Sequence, residues 1–197
     1  SDWAGDPQDR KSQTGYAILV HGRLVAWGSR KQDCVATDST GAEYMAMSVA
    51  VKEAEQVHRT AVDLGLVKET DPIRILCDNM GAIARTKGRS NFSAARHIEI
   101  RYHHVRDLAA KGRVDIQYVK SEENLADLFT KGLKGPRHHE LTMALGLGPW
   151  GSVSSGAASR PKWRESLARK FGRETVGTKP GLLTPQEVTS DDREPLN

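Results

Sequence analysis

A chain of 197 residues, 38% of them apolar, can bury one real core, and little in it suggests two. The 29 lysines and arginines against 25 acids leave a net charge of +4, a mild basic excess that suits a polyanionic partner but selects none. Cys34 and Cys77 lack CxxC spacing, which argues against a disulfide framework or zinc knuckle, and no apolar run approaches the roughly 20 residues that span a bilayer. The first residues, SDWAGDPQDRK, are unlike a signal peptide, so the expectation is an intracellular chain in a reducing setting with no membrane partner.

In chain order, residues 14–20 (TGYAILV) and 24–27 are β-rich and flank His21-Gly22-Arg23, which predicts an antiparallel hairpin with glycine supplying the tight backbone. A third strand is expected over residues 33–37. Thr40-Gly41-Ala42-Glu43 has capping-box spacing, and Ala46, Ala50, Ala54, Val57, Ala61 and Leu64 recur every three or four residues before Gly65, the pattern of a long amphipathic helix. Pro72 precedes a buried-strand candidate over residues 73–77, and residues 79–87 read as a short helix stopped at Gly88. A second long helix uses Ile98, Tyr102, Val105 and Leu108 and ends at Gly112. Val114, Ile116 and Tyr118 alternate as a strand. Ser121 can cap a last helix whose apolar face is Leu125, Leu128 and Phe129, ending at Gly132. Strands first, then alternating helix and strand, predict an α/β domain with a mixed sheet. At the composition shift to GSVSSGAAS the domain is divided into residues 1–148 and a flexible, partly basic tail, residues 149–197. Within the tail Trp163, Leu167 and Phe171 have helical spacing among lysines and arginines, the pattern of a small basic helix.

The chemistry is argued from three carboxylates. Glu43 falls one turn into the first long helix, Asp78 at the C-terminal end of the strand over residues 73–77, and Asp127 one turn into the last predicted helix. An α/β sheet collects its ligands at strand ends and first turns of this kind. Hydrolysis of a phosphodiester with two metal ions about 3.5 to 4 Å apart needs such acidic oxygens, because the ions repel unless anions surround them. Each acid also has a plainer role. Glu43 can close the capping box with Thr40, Asp78 can cap the helix that follows it, and Asp127 can be a solvated acid favoured by the helix dipole. Taken singly the plainer roles prevail; taken together the three suggest a metal site. The histidines at 103/104 and 138/139 are adjacent rather than three or four apart, which argues against zinc.

DWAGDPQDRKSQTGY, SRKQDCVATDSTGAEYMAMSVAVKEA, ILCDNMGAIA, RHIEIRYHHVRDLAAKG and YVKSEENLADLFTKGL, in this order, resemble consecutive blocks of the ribonuclease H domain of copia-type retrotransposon Pol polyproteins. Together they span residues 2 to about 147. The resemblance implies a ribonuclease H-like fold, a mixed β-sheet flanked by helices. It implies a metal-dependent endonuclease that cleaves the RNA strand of RNA/DNA hybrids in reverse transcription. The implied cofactor is Mg2+, as two ions, with Mn2+ able to substitute. A reverse transcriptase domain upstream in a parent polyprotein is the expected partner, and a cytoplasmic particle or the nucleus the expected location.

Carried over residue by residue, the family's acidic set falls on Glu43, Asp78 and Asp127, as catalytic residues and metal ligands. A fourth member, the aspartate that ends the family's first strand, lies two positions ahead of the acid preceding the tryptophan. That acid corresponds to Asp2 beside Trp3, so the aspartate would stand just before Ser1, and Asp2 enters the catalytic set only as a substitute. The apolar first strand is missing as well. The resemblance therefore implies an N-terminally truncated domain, with exposed edges on the hairpin and on the strand ending at Asp78. Arg96, His97, Arg101, His104 and Arg106 on the second long helix are expected to track hybrid phosphates. The missing strand and aspartate favour an alternative, a noncatalytic retroelement remnant or hybrid-binding module.

Overall fold

A computed structural model describes residues 1–88 and 96–148, without the side chains of 96–102. The expected division at residue 148, and the basic helix at Trp163, Leu167 and Phe171, lie outside the described residues. Strands β1 (Gln13–Val20) and β2 (Arg23–Lys31) form the expected hairpin, closed by His21 and Gly22 at φ 49 and 73. Positive φ at both central residues gives the turn whose twist matches that of paired strands. β2 runs past the expected residue 27 because residues 28–31 stay in register with β1 down to Gln13↔Lys31. Gly28 permits this pairing: a Cβ there would lie 2.5 Å from Tyr16 Cε1.

Residues 33–37 do not form the expected third strand. Trp3 Nε1 donates to the Ala36 carbonyl at 3.2 Å, and Ala36 and Cys34 pack against Ala42 and Met45, so this segment is held by side chains rather than by a sheet partner. Helix α1 (Ser39–Asp63) follows and stops at Gly65, whose φ of 67 suits glycine. One stripe of α1, Tyr44, Met47, Val51 and Ala54, is buried against β3 (Ile73–Cys77), α2 (Met80–Lys87), α3 (Arg96–Ala110) and β4 (Val114–Tyr118). Ile75 and Cys77 from β3, Val105 and Leu108 from α3, and Val114 and Ile116 from β4 complete this core.

β3 and β4 pair in parallel, from Ile73↔Val114 to Cys77↔Tyr118. The last predicted helix is instead two short 3-10 turns, Ser121–Glu123 and Leu125–Phe129. Asn124 caps the second through Ala126 N–H, and Thr130 Oγ1 closes its end on the Asp127 carbonyl, leaving too short a run for an α-helix. Helix α4 (Gly135–Ala144) has no counterpart among the expected elements. Pro136 in its first turn and the buried Leu141, Ala144 and Leu145 are its sequence signals.

The architecture is α/β, with antiparallel and parallel strand pairs flanked by helices, as the ribonuclease H-like expectation requires. The strands form two separate pairs, β1-β2 and β3-β4. Between β1 and β3 runs a groove of about 650 Å³ with α1 as its floor. No described helix is long and apolar enough to cross a membrane.

Candidate active site

At the end of this groove the structure separates Glu43 and Asp78 from their plainer roles. The N-cap of α1 is Asp38, whose carboxylate accepts the Gly41 N–H at 2.6 Å, so Thr40 and Glu43 form no capping box. The N-cap of α2 is Asn79, whose side chain accepts the Ala82 N–H at 2.9 Å, so Asp78 caps nothing. Both acids are free to face the groove, which they line.

Their convergence depends on the packing of α1 on β3. α1 packs its buried stripe on β3, and β3 ends at Cys77 directly before Asp78. As a result a carboxylate oxygen of Glu43, one of Asp78 and the Cys77 sulfur lie within 4.8 Å of one another. The Ser1 nitrogen sits 2.5 Å from Glu43 Oε1. Cys77 is a member of the group that the sequence reading did not name; its only signal was adjacency to Asp78. Burial pushes its thiol up to about 11, with the charges of Glu43 and Asp78 acting the same way against the Asn79 backbone bond. At neutral pH this sulfur is a protonated thiol, and the oxygens are the hard donors of the group.

Asp127 lines the same groove but stands outside the 4.8 Å group. It is carried on the second 3-10 turn, where Lys131 Nζ lies 3.2 Å from its Oδ1. This turn is pressed onto β1 at Gly15, where a Cβ would lie 2.5 Å from Thr130 Cγ2 and 2.9 Å from the Phe129 carbonyl carbon. Glycine is needed there for close approach rather than for its dihedral freedom.

Asp2 does not join the other acids. Its backbone is locked to Gln13 by paired hydrogen bonds, and its carboxylate turns to Gly5, where a Cβ would lie 2.2 Å from Asp2 Oδ2. It lines a separate depression with Lys11 and Lys31. The expected phosphate-tracking set is only partly visible. His104 Nε2 lies 3.0 Å from Glu55 Oε2, a surface contact between α3 and α1 that leaves the imidazole exposed. Arg106 is half-buried on the same helix; Arg96, His97 and Arg101 belong to α3, but their side chains lie outside the described residues.

The donor chemistry fits one divalent cation. Two carboxylates from separate elements, open to the groove, suit an oxygen-preferring ion that keeps several waters.

Comparison with known proteins points to one region of plant transposons. Over 131 residues, 66% of the chain, the protein is 34% identical to the retrovirus-related Pol polyprotein from transposon TNT 1-94 of Nicotiana tabacum. Over 147 residues, 75% of the chain, it is 31% identical to the retrovirus-related Pol polyprotein from transposon RE1 of Arabidopsis thaliana. The chain spans about 10% of the length of each. A shorter match, 50% identical over 54 residues, covers 27% of the chain and 38% of secreted RxLR effector protein 161 of Plasmopara viticola. No family model and no solved structure matches. The protein is thus related to a segment of retrotransposon Pol polyproteins.

Proposed function

We propose that this chain is the ribonuclease H segment of a retrotransposon Pol polyprotein, a metal-dependent endonuclease acting on the RNA strand of RNA/DNA hybrids. The observation that carries the reading is the approach of Glu43 and Asp78 to within 4.8 Å, on elements 35 positions apart, with Asp127 on the wall of the same groove. Kinship with Pol polyproteins supports it independently.

In this reading Glu43 and Asp78 hold Mg2+, or Mn2+ in its place, and Asp127 completes the acidic set. When bound, the metal supplies a lowered pKa for water and a counter-charge for the phosphate and the leaving oxygen. The chain's own residues do the positioning. The Asn79 cap fixes the backbone after Asp78, and Gly15 lets the turn bearing Asp127 lie against β1. Lys131 neutralises part of the Asp127 charge and must be displaced or shared for Asp127 to take a cation. Arg106 and the other bases of α3 are the proposed hybrid-facing group, working by shape and phosphate charge rather than base sequence.

A labelled RNA/DNA hybrid incubated with the protein and Mg2+ tests this. Cleavage of the RNA strand by the wild type, lost in Asp78→Asn and Glu43→Gln, is the expected result. Equal product from wild type and Asp78→Asn defeats the reading. The open groove beside β1 and β3 favours a second reading, binding of hybrid without cleavage. Salt-sensitive hybrid binding with no product in either metal would select it.

A further inference from the structure

We propose that Gln32 is a positioning residue for the acidic site: its buried amide joins the strand that seats the Asp127 turn to the first turn of α1, and so sets how far Glu43 stands from Asp127, a role that rests on the nuclease reading above. Gln32 directly follows β2 and is 7% exposed. Both hydrogens of its Nε2 are used, one donated to Thr14 Oγ1 at 3.1 Å and one to the Ala42 carbonyl at 2.9 Å. A carbonyl can only accept, so the NH2 group must face Ala42, and that fixes which way the amide is turned. Gln32 Oε1 is left buried with no hydrogen-bond partner. The amide is held in place by its two donors, against the cost of an unmet acceptor.

Each donor ends beside an element that carries an acid. Ala42 lies in the first turn of α1 immediately before Glu43; its carbonyl serves the Ala46 N–H within the helix and has a second lone pair for Gln32. Thr14 immediately precedes Gly15, onto which the turn bearing Asp127 is pressed. Gln32 is itself anchored. Its N–H donates to the Ser12 carbonyl at 2.9 Å, and Ser12 is buried with its Oγ accepting the Ala4 N–H at 3.1 Å. On the other side Ala42 is fixed by Ala36 and Met45, which pack around it.

The packing of α1 on β3 brings Glu43 to Asp78, but Asp127 reaches the groove from the hairpin side, so its distance from Glu43 is a distance between β1 and α1. Farther along, Ile18 of β1 joins the hairpin to the core by apolar contact. Apolar packing has no preferred direction and tolerates a small slide, whereas a hydrogen bond fixes both distance and angle. The Gln32 amide supplies that fixed link at the end of α1 where Glu43 stands. Gln32 lines neither the groove nor the depression at Asp2, so it acts on the reaction only through the elements it joins. A misplacement of about 1 Å between reacting groups can cost about a hundredfold in rate.

The test is cleavage of a labelled RNA/DNA hybrid in Mg2+ by the full chain, with kcat, KM and Tm measured for each variant. Gln32→Met keeps the length of the side chain and removes both donors together with the unmet acceptor, so its Tm is expected within about 3 °C of the wild type. Its kcat is expected to fall about tenfold to a hundredfold with KM within about twofold. Thr14→Val, which removes one acceptor and leaves Gln32 in place, should lose kcat in the same sense by about threefold or more, and Thr14→Ser should retain it; this pair decides the matter if Gln32→Met does not fold. A wild type that cleaves and a Gln32→Met that matches its kcat overturn the role of Gln32 alone, as does equal kcat in Thr14→Val and Thr14→Ser. A kcat loss that vanishes at temperatures where both proteins are fully folded also overturns it, since that is a stability effect. A wild type that cleaves no hybrid overturns the nuclease reading and this role with it.

Discussion

Replacing Asp78 by asparagine should change stability in opposite senses with and without a divalent ion. At 4.8 Å two unit charges repel by about 0.9 kcal/mol at a dielectric of about 80 and about 3.5 kcal/mol at about 20. The site opens to solvent, so the lower figure applies. In EDTA, Asp78→Asn is therefore expected to be as stable as the wild type or up to about 1 kcal/mol more stable. Adding Mg2+ to tenfold over its dissociation constant stabilises the wild type by about 1.4 kcal/mol, or about 3 to 6 °C in Tm for a chain of this size. Asp78→Asn and Glu43→Gln should lose most of that shift. Asp2→Asn should keep it, because its carboxylate turns to Gly5 and lines the other depression. Differential scanning fluorimetry across a Mg2+ series, with Ca2+ as a second ion, reads all four proteins. An undiminished shift in Asp78→Asn, or its loss in Asp2→Asn, would refute the assignment of the cation to the Glu43–Asp78 pair.

Gly15→Ala should displace the turn bearing Asp127, since its Cβ would sit 2.5 Å from Thr130 Cγ2; hybrid cleavage is expected to fall more than Tm, and an unchanged rate would show that Asp127 is not needed where it stands. Asp38→Ala removes the α1 cap at a cost of about 1 kcal/mol in urea unfolding. Burial raises the Asp38 carboxyl, but the Gly41 N–H and the Arg85 guanidinium outweigh it and hold the group below its ordinary 3.8. A depressed folded value gives stability that is present above pH 3.8 and lost as pH falls through the folded value, so the variant should show a flatter acid limb below about pH 4. Leu141→Ala, at a side chain 2% exposed, should cost about 2 to 5 kcal/mol. A loss below about 1 kcal/mol would mean that α4 is not part of the cooperative fold.

The hairpin, α1, β3, α3 and β4 were legible because each is specified by short-range order. His21-Gly22 permits positive φ at both turn positions, Val114 and Ile116 alternate, and Ala46, Ala50, Ala54, Val57 and Ala61 recur at helical spacing, although the stripe buried in the core is Tyr44, Met47, Val51 and Ala54, and Leu64 is exposed. Local competition was harder to read. Asp38 and Thr40 both stand at the start of α1, and only the folded backbone selects Asp38 as the cap; Asn79 likewise takes the role open to Asp78. The turn bearing Asp127 has helical composition, yet five residues between an Asn124 cap and the Thr130 bond, pressed against Gly15, leave it as a 3-10 turn.

By itself the sequence determined the hairpin, α1, β3, α2, α3 and β4, and which residues carry negative charge. That Glu43 and Asp78 meet, that Asp127 stays on the wall beside Lys131, and that Asp2 turns away were decided only by tertiary structure. Periodicity acts over a few residues, whereas the distance between acids on α1 and after β3 is set by how a buried stripe packs on a strand about 20 to 30 positions along the chain.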